Sequence, residues 1–237
     1  MKSVLSQFAP VITFVFAVNC IVLELFNFEE ASVVFRALLF PFFFMLYISF
    51  KRFNNLFFTL YLLFFALAEL SSLIIYISDV ISYYSGLVFY LLAYGSLVVY
   101  LIQNITFKVI LQRFLVQSIV LILFSVCIMW SLDRFFSYEY GSDLTMLIRV
   151  VENTYNFLLL LVLAFSFVGY LYFDNKEYLL LFIACAFIVF SELVQLSVYL
   201  TTINDSLVLV YNILLLFGFY FMYQYFIIPQ EEKEVLI

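Results

Sequence analysis

Residues 56–77 read LFFTLYLLFFALAELSSLIIYI, a run whose one charged side chain is Glu69. A helix rises about 1.5 Å per residue, so roughly 20 apolar residues cross the approximately 30 Å hydrocarbon core of a bilayer. The run is therefore read as a membrane-crossing helix that carries a carboxylate where lipid disfavours one. A second such run, YLLLFIACAFIVFSELVQLSVYL at 178–200, has its one carboxylate at Glu192. Both contain the pattern Glu-Leu-x-x-Leu-x-x-Tyr, as Glu69, Leu70, Leu73, Tyr76 and as Glu192, Leu193, Leu196, Tyr199. The same offset of 123 residues maps Leu91, Leu92, Gly95 and Tyr100 onto Leu214, Leu215, Gly218 and Tyr223, which points to an internal duplication. An ionisable group at mid-membrane costs about 2.5–3.5 kcal/mol on insertion scales, so its first reading is functional.

The rest of the chain extends this reading. Its 237 residues are 68% hydrophobic, 22% aromatic and 11% charged, too little polar surface to enclose a soluble core. The long unbroken apolar runs do not fit the alternating signal of a membrane β-barrel. An all-α integral membrane protein is expected, with eight transmembrane helices near 5–25, 33–50, 56–77, 82–103, 112–132, 145–173, 178–200 and 206–228. No linker or extramembrane domain is evident, and the longest loop, about Ser131 to Asp143, is too short to fold alone. Residues 1–237 thus form a single transmembrane domain, with repeat halves of about 1–110 and 111–237. Because 123 residues cover four helices, the two four-helix halves run parallel rather than inverted.

Short loops rich in Lys and Arg stay cytoplasmic. Lys2, Lys51, Arg52, Lys108, Arg113, Lys176 and Lys233 fall on one side, and Arg36, Arg134 and Arg149 on the other. Both termini are expected in the cytoplasm of a cell with the protein in its inner or plasma membrane. The opposite face, with Glu29, Glu30, Asp79, Asp133, Glu139, Asp143 and Asp205, is acidic. The net charge of −6 argues against a nucleic-acid partner. The first helix lacks a convincing cleavage site and is expected to remain as an uncleaved span. Cys20, Cys127 and Cys185 fall within spans and read as buried thiols without a disulfide framework.

Side chains at i, i+3, i+4 and i+7 share a helical face. Glu69 is accompanied by Ser72 and Tyr76, and Glu192 by Gln195 and Tyr199, so each carboxylate heads a polar stripe near the midplane. Burial in a low dielectric favours the neutral acid, the form of glutamate that donates a proton. Two such groups close together would titrate apart, one serving as acid and one as base. The bland alternative is a protonated glutamate bridging helices. Arg149, Glu152, Asn153 and Asn156 form another inward stripe on the sixth span. Arg36, at the outer start of the second span, joins Arg149 as a candidate contact for an anionic headgroup, against the alternatives of snorkelling or a local Arg149–Glu152 pair. Tyr94 and Tyr220 are candidate cavity donors, and Gly95 and Gly218 candidate sites of close helix approach. With no histidine in the chain, a His-assisted nucleophile, a histidine-ligated haem and the usual His-based zinc site are excluded. No cofactor or metal is expected, so any chemistry rests on carboxylates and water.

Taken in order, the segments resemble the YhhN-type lysoplasmalogenase family. Arg36-Ala37-Leu38-Leu39-Phe40-Pro41 is similar to that family's Lys-Pro-Leu-Leu-x-Pro. Leu67-Ala68-Glu69-Leu70 and Phe190-Ser191-Glu192-Leu193 are similar to its Leu-Gly-Asp and Ile-Ser-Asp segments. Tyr220 to Ile227, with Gln224, resembles its Tyr-x-x-Ala-Gln-x-Leu-Ile end. The chain departs from the family in carrying glutamate for both aspartates, Arg36-Ala37 for Lys-Pro, and Tyr94-Gly95 or Ala93-Tyr94 for a Gly-His.

The resemblance implies eight spans and hydrolysis of the vinyl ether bond of a lysophospholipid. Glu69 and Glu192 would be the catalytic pair. Arg36, Arg149, Glu152, Asn153, Asn156, Tyr94, Gln195 and Gln224 would surround the substrate. A proton-coupled membrane carrier and a non-catalytic lipid-binding protein are the competing readings; the oligomeric state stays open.

Overall fold

The structure is a computed structural model that describes residues 4–26, 28–49, 55–76, 78–103, 105–106, 112–139, 145–200 and 205–227. Among the described residues every regular element is helical: α1 Val4–Leu25, α2 Glu29–Ser49, α3 Leu56–Ser71, α4 Asp79–Ile102, α5 Leu115–Glu139, α6 Thr145–Phe173, α7 Lys176–Leu200 and α8 Asp205–Ile227. A 3₁₀ turn, Ser72–Tyr76, continues from α3. Among the described residues six helical segments are long and apolar enough to cross a membrane, namely Glu30–Ser49, Leu56–Ile74, Ile81–Ile102, Arg149–Phe173, Lys176–Val198 and Ser206–Ile227. The chain is a multi-pass membrane protein. α1 and α5 carry shorter apolar stretches, Thr13–Leu25 and Leu115–Ser131.

Local chemistry sets the helix ends that matter for the site. Asn55 caps α3, its side-chain oxygen accepting from the backbone N–H of Phe57 and Phe58 at 3.0 and 3.4 Å. At the other end Ser71 and Ser72 turn their hydroxyls back onto the carbonyls of Ala68 and Glu69, each at 2.6 Å. Such back-bonding competes with the α-helical ladder, and here α3 gives way to the tighter 3₁₀ turn at Ser72, three residues after Glu69. The serine pair was visible in the sequence, but the hydropathy run continued through it. The i+7 relation between Glu69 and Tyr76 therefore does not hold as an α-helical stripe. In α2, Pro41 withdraws a backbone donor within the turn that follows Arg36.

α3 with α4, and α7 with α8, are the most closely packed pairs, and α4 also lies against α6. Gly218 explains part of the second pairing: a Cβ there would sit 2.6 Å from Ile188 Cγ1 and 3.2 Å from the Ala184 carbonyl oxygen. At Gly95 a Cβ would meet nothing within 4 Å, so the close approach expected there is absent. The core is aromatic. The Phe219 ring centre lies 4.6 Å from that of Phe40, 5.0 Å from Phe43 and 4.8 Å from Phe65, joining α2, α3 and α8.

Two further expectations change. The stretch expected as a loop from Ser131 is helical to Glu139, as the end of α5. That helix packs against α6 and leaves Val116, Val120, Leu123 and Trp130 exposed. Cys20 and Cys185 are buried, whereas Cys127, on α5, is exposed. Of the residues that assign orientation, Lys2, Lys51, Arg52, Lys108 and Lys233 on one side and Asp143 on the other lie outside the described residues, as does the junction of the two halves at 110/111.

Candidate functional site

Five helices converge on one partly open cavity of about 170 Å³. Glu69 of α3 and Glu192 of α7 both line it, and both are buried, at 1% and 3% exposure. Arg36 of α2, Glu152 and Asn156 of α6, and Gln195 of α7 line it as well.

The two central carboxylates have different neighbours. Glu69 Oε2 lies 3.2 Å from Arg36 Nε, a charge contact whose angle does not make a hydrogen bond. Its Oε1 accepts from the Tyr90 hydroxyl of α4 at 2.7 Å. Arg36 is fixed from behind: Nη1 donates to Asn212 Oδ1 of α8 at 3.2 Å, and the guanidinium carbon sits 5.2 Å from the centre of the Tyr211 ring. Glu192 faces hydroxyls instead. Its Oε1 accepts from Tyr94 of α4 at 2.6 Å and its Oε2 from Tyr155 of α6 at 2.5 Å. The third acid, Glu152, accepts from the Tyr83 hydroxyl at 2.5 Å. Tyr90 and Tyr94 are nearly parallel, with ring centres 6.1 Å apart, and Tyr155 meets Tyr94 edge-on at 5.8 Å. Within this cluster Tyr90 bonds Glu69, and Tyr94 and Tyr155 bond Glu192.

Known protein families, characterised proteins and solved structures were compared with the chain, and none matches. Any reading of the cavity therefore stands on its residues.

Of the side chains singled out from sequence, Glu69, Glu192, Arg36, Glu152, Asn156 and Gln195 meet at the cavity, and Tyr94 holds Glu192. The others lie elsewhere. Arg149 is exposed, so the α6 stripe does not point inward along its whole length. Asn153 and Gln224 are partly buried and do not line the cavity. Tyr220 is 52% exposed and lines a separate apolar cleft between α1, α2 and α8, with Phe43, Phe219 and Tyr223. The side chains of Tyr76 and Tyr199 lie outside the described residues.

Sequence reasoning missed Tyr83, Tyr90, Tyr155, Tyr211 and Asn212. Asn212 carried a signal, being an amide in mid-span, where unpartnered amides are costly. The tyrosines carried none, because among so many aromatic residues a phenol that bonds a carboxylate is indistinguishable from one that meets lipid.

Chemically, the cavity offers two fixed carboxylates at one buried place, each hydrogen-bonded by phenols of its own, groups that both donate and accept. Among the described residues lining it, Arg36 is the one cation against three acids. Such a set suits proton transfer to and from a bound group in an environment of low dielectric.

Proposed function

We propose that the cavity is the catalytic site of a membrane-embedded hydrolase that cleaves the vinyl ether bond of a single-chain lipid by two-carboxylate acid–base catalysis. The observation that carries this reading is the meeting of Glu69 and Glu192 in one cavity, with a cation beside only one of them. Arg36 balances one negative charge beside Glu69, so in this reading Glu69 is the carboxylate that stabilises a cationic centre. Glu192, held by phenols and facing no cation, carries the exchangeable proton. It delivers that proton to the vinyl carbon remote from the ether oxygen, leaving an oxocarbenium-like centre that Glu69 stabilises. Water adds to that centre and returns its proton to Glu192. The hemiacetal collapses to an aldehyde and the alcohol end of the lipid.

The same reading takes all eight helices as crossing the cell membrane with both termini cytoplasmic, the halves being a parallel duplication. The lysoplasmalogenase resemblance agrees with it in the order of its motifs. One observation favours a proton-coupled carrier as the second reading: the phenols bonded to the two carboxylates, Tyr90 on Glu69 and Tyr94 and Tyr155 on Glu192, pack against one another, and phenols can pass protons. Few Gly or Pro interruptions speak against it, since the chain has five Gly and three Pro.

The test is aldehyde release from 1-alkenyl lysolipids of several headgroups by the purified protein in detergent. Glu69→Gln and Glu192→Gln are each expected to lose at least about 100-fold in rate, the usual worth of a positioned acid or base. Hydrolysis surviving in either variant, or absent from the folded wild type, overturns the proposal. Uptake into sealed vesicles that vanishes when the proton gradient is collapsed would establish the carrier instead.

A further inference from the structure

The charge balance and size of the cavity bear on which lipid head it accepts. The cavity's one lining cation, Arg36, already serves Glu69 through Nε, donates to Asn212 through Nη1, and has Tyr211 against its face. Arg149, the other arginine of this region, is exposed and outside the lining. A phosphate entering here would bring negative charge to a surface that already holds Glu69, Glu152 and Glu192, with no uncommitted guanidinium to receive it.

The remaining lining is suited to hydroxyl groups. Asn156 is 3% exposed and lines the cavity, and its Nδ2 makes no hydrogen bond to protein. Buried amide N–H groups are nearly always paired, so this one points to an acceptor oxygen on a ligand. Glu152 lies one helical turn away on the same face of α6, about 6 Å along the axis, and its carboxylate accepts hydroxyl donors. Gln195 adds an amide that both donates and accepts. An alcohol satisfies both kinds of group, because its oxygen accepts from Asn156 while its proton goes to Glu152. The volume agrees: about 170 Å³ here, against roughly 150 Å³ for an engineered cavity that admits benzene, a molecule of six heavy atoms. A glycerol group also has six.

We infer that the cavity binds a neutral, hydroxyl-bearing head of glycerol size, through Asn156 and Glu152, in preference to a phosphorylated one. The inference rests on the reading of this cavity as the substrate site and narrows that substrate to a non-phosphorylated glyceryl ether lipid.

Binding rather than turnover tests it. The full-length protein in detergent is titrated with 1-O-alkylglycerol, a non-hydrolysable ether, and with the 3-phosphate and 3-phosphocholine esters bearing the same chain. Affinity is read from displacement of a fluorescent alkylglycerol. The neutral lipid is expected to bind at least about tenfold more tightly than either ester, and Asn156→Leu and Glu152→Gln each to remove most of that preference. Melting temperature checks that each variant is folded, and Glu152→Gln, nearly isosteric, serves if Asn156→Leu is not. Tighter binding of either ester, or a preference unchanged in a folded variant, overturns the inference. Absent aldehyde release with intact alkylglycerol binding would fault the hydrolase reading alone. Efficient hydrolysis of a phosphorylated substrate with weak alkylglycerol binding would fault only the inference.

Discussion

Replacing Arg36 by leucine removes the cation that faces Glu69 and leaves a carboxylate, 1% exposed, with the Tyr90 hydroxyl as its remaining described partner. Truncating one member of a buried ion pair costs about 3–5 kcal/mol, because the other charge stays desolvated. The same substitution also forfeits the Asn212 hydrogen bond and the contact with the Tyr211 ring, the latter worth about 0.5–2 kcal/mol. A loss at the upper end of that first range is therefore expected. Glu69→Gln keeps an acceptor for Tyr90 and strands the guanidinium instead, with a cost of similar order. The double variant Arg36→Leu/Glu69→Gln removes both charges, so it is expected to be more stable than the sum of the single losses by at least about 2 kcal/mol. Arg36→Lys should fall between wild type and Arg36→Leu, since an ammonium keeps the charge but not the planar stack or the paired donors. Unfolding by increasing SDS fraction in mixed micelles, followed by circular dichroism, measures all four proteins. Additivity within about 0.5 kcal/mol would refute a coupled ion pair at this position.

Gly218→Ala is expected to destabilise by about 1–3 kcal/mol, because its Cβ would press on Ile188 and on the Ala184 carbonyl, whereas Gly95→Ala should leave stability unchanged or raise it by up to about 1 kcal/mol. The same unfolding assay distinguishes the two, and equal effects would contradict the asymmetric packing. Cys127 should react with a small, membrane-permeant maleimide in the folded, detergent-solubilised protein, while Cys20 and Cys185 react only after unfolding. Mass spectrometry of the labelled peptides counts them, and rapid labelling of Cys185 would refute its burial.

Hydropathy placed the helices well because a bilayer leaves few alternatives. A run such as 178–200 has to be helical to satisfy its backbone, and α7 spans Lys176–Leu200. It was less informative where the ends depend on polar detail. The hydroxyls of Ser71 and Ser72 end α3 within a sequence that stays apolar, and the charged residues after Ser131 suggested a loop where α5 continues. At the site, Glu69 and Glu192 stood out as costly charges, and their convergence on one cavity was a tertiary fact that spacing alone does not contain. Arg36 and Arg149 looked equivalent by position along their spans. The structure separates them, since α2 turns Arg36 toward α3 and α8 while Arg149 is exposed. The hydroxyl partners of the carboxylates were illegible for a statistical reason: 19 tyrosines in one chain give each of them little individual meaning.

The phenols that grip Glu192 bear on how this position can change over time. Its oxygens are reached from two separate helices, Tyr94 on α4 and Tyr155 on α6. Aspartate would draw the carboxyl back by one methylene and out of reach of both hydroxyls at once. Regaining them would require coordinated movement of two helices rather than one compensating substitution. Glutamate at 192 is in that sense held by two helices at once: its length is what both hydroxyls meet, and the shorter acid forfeits both partners in one substitution.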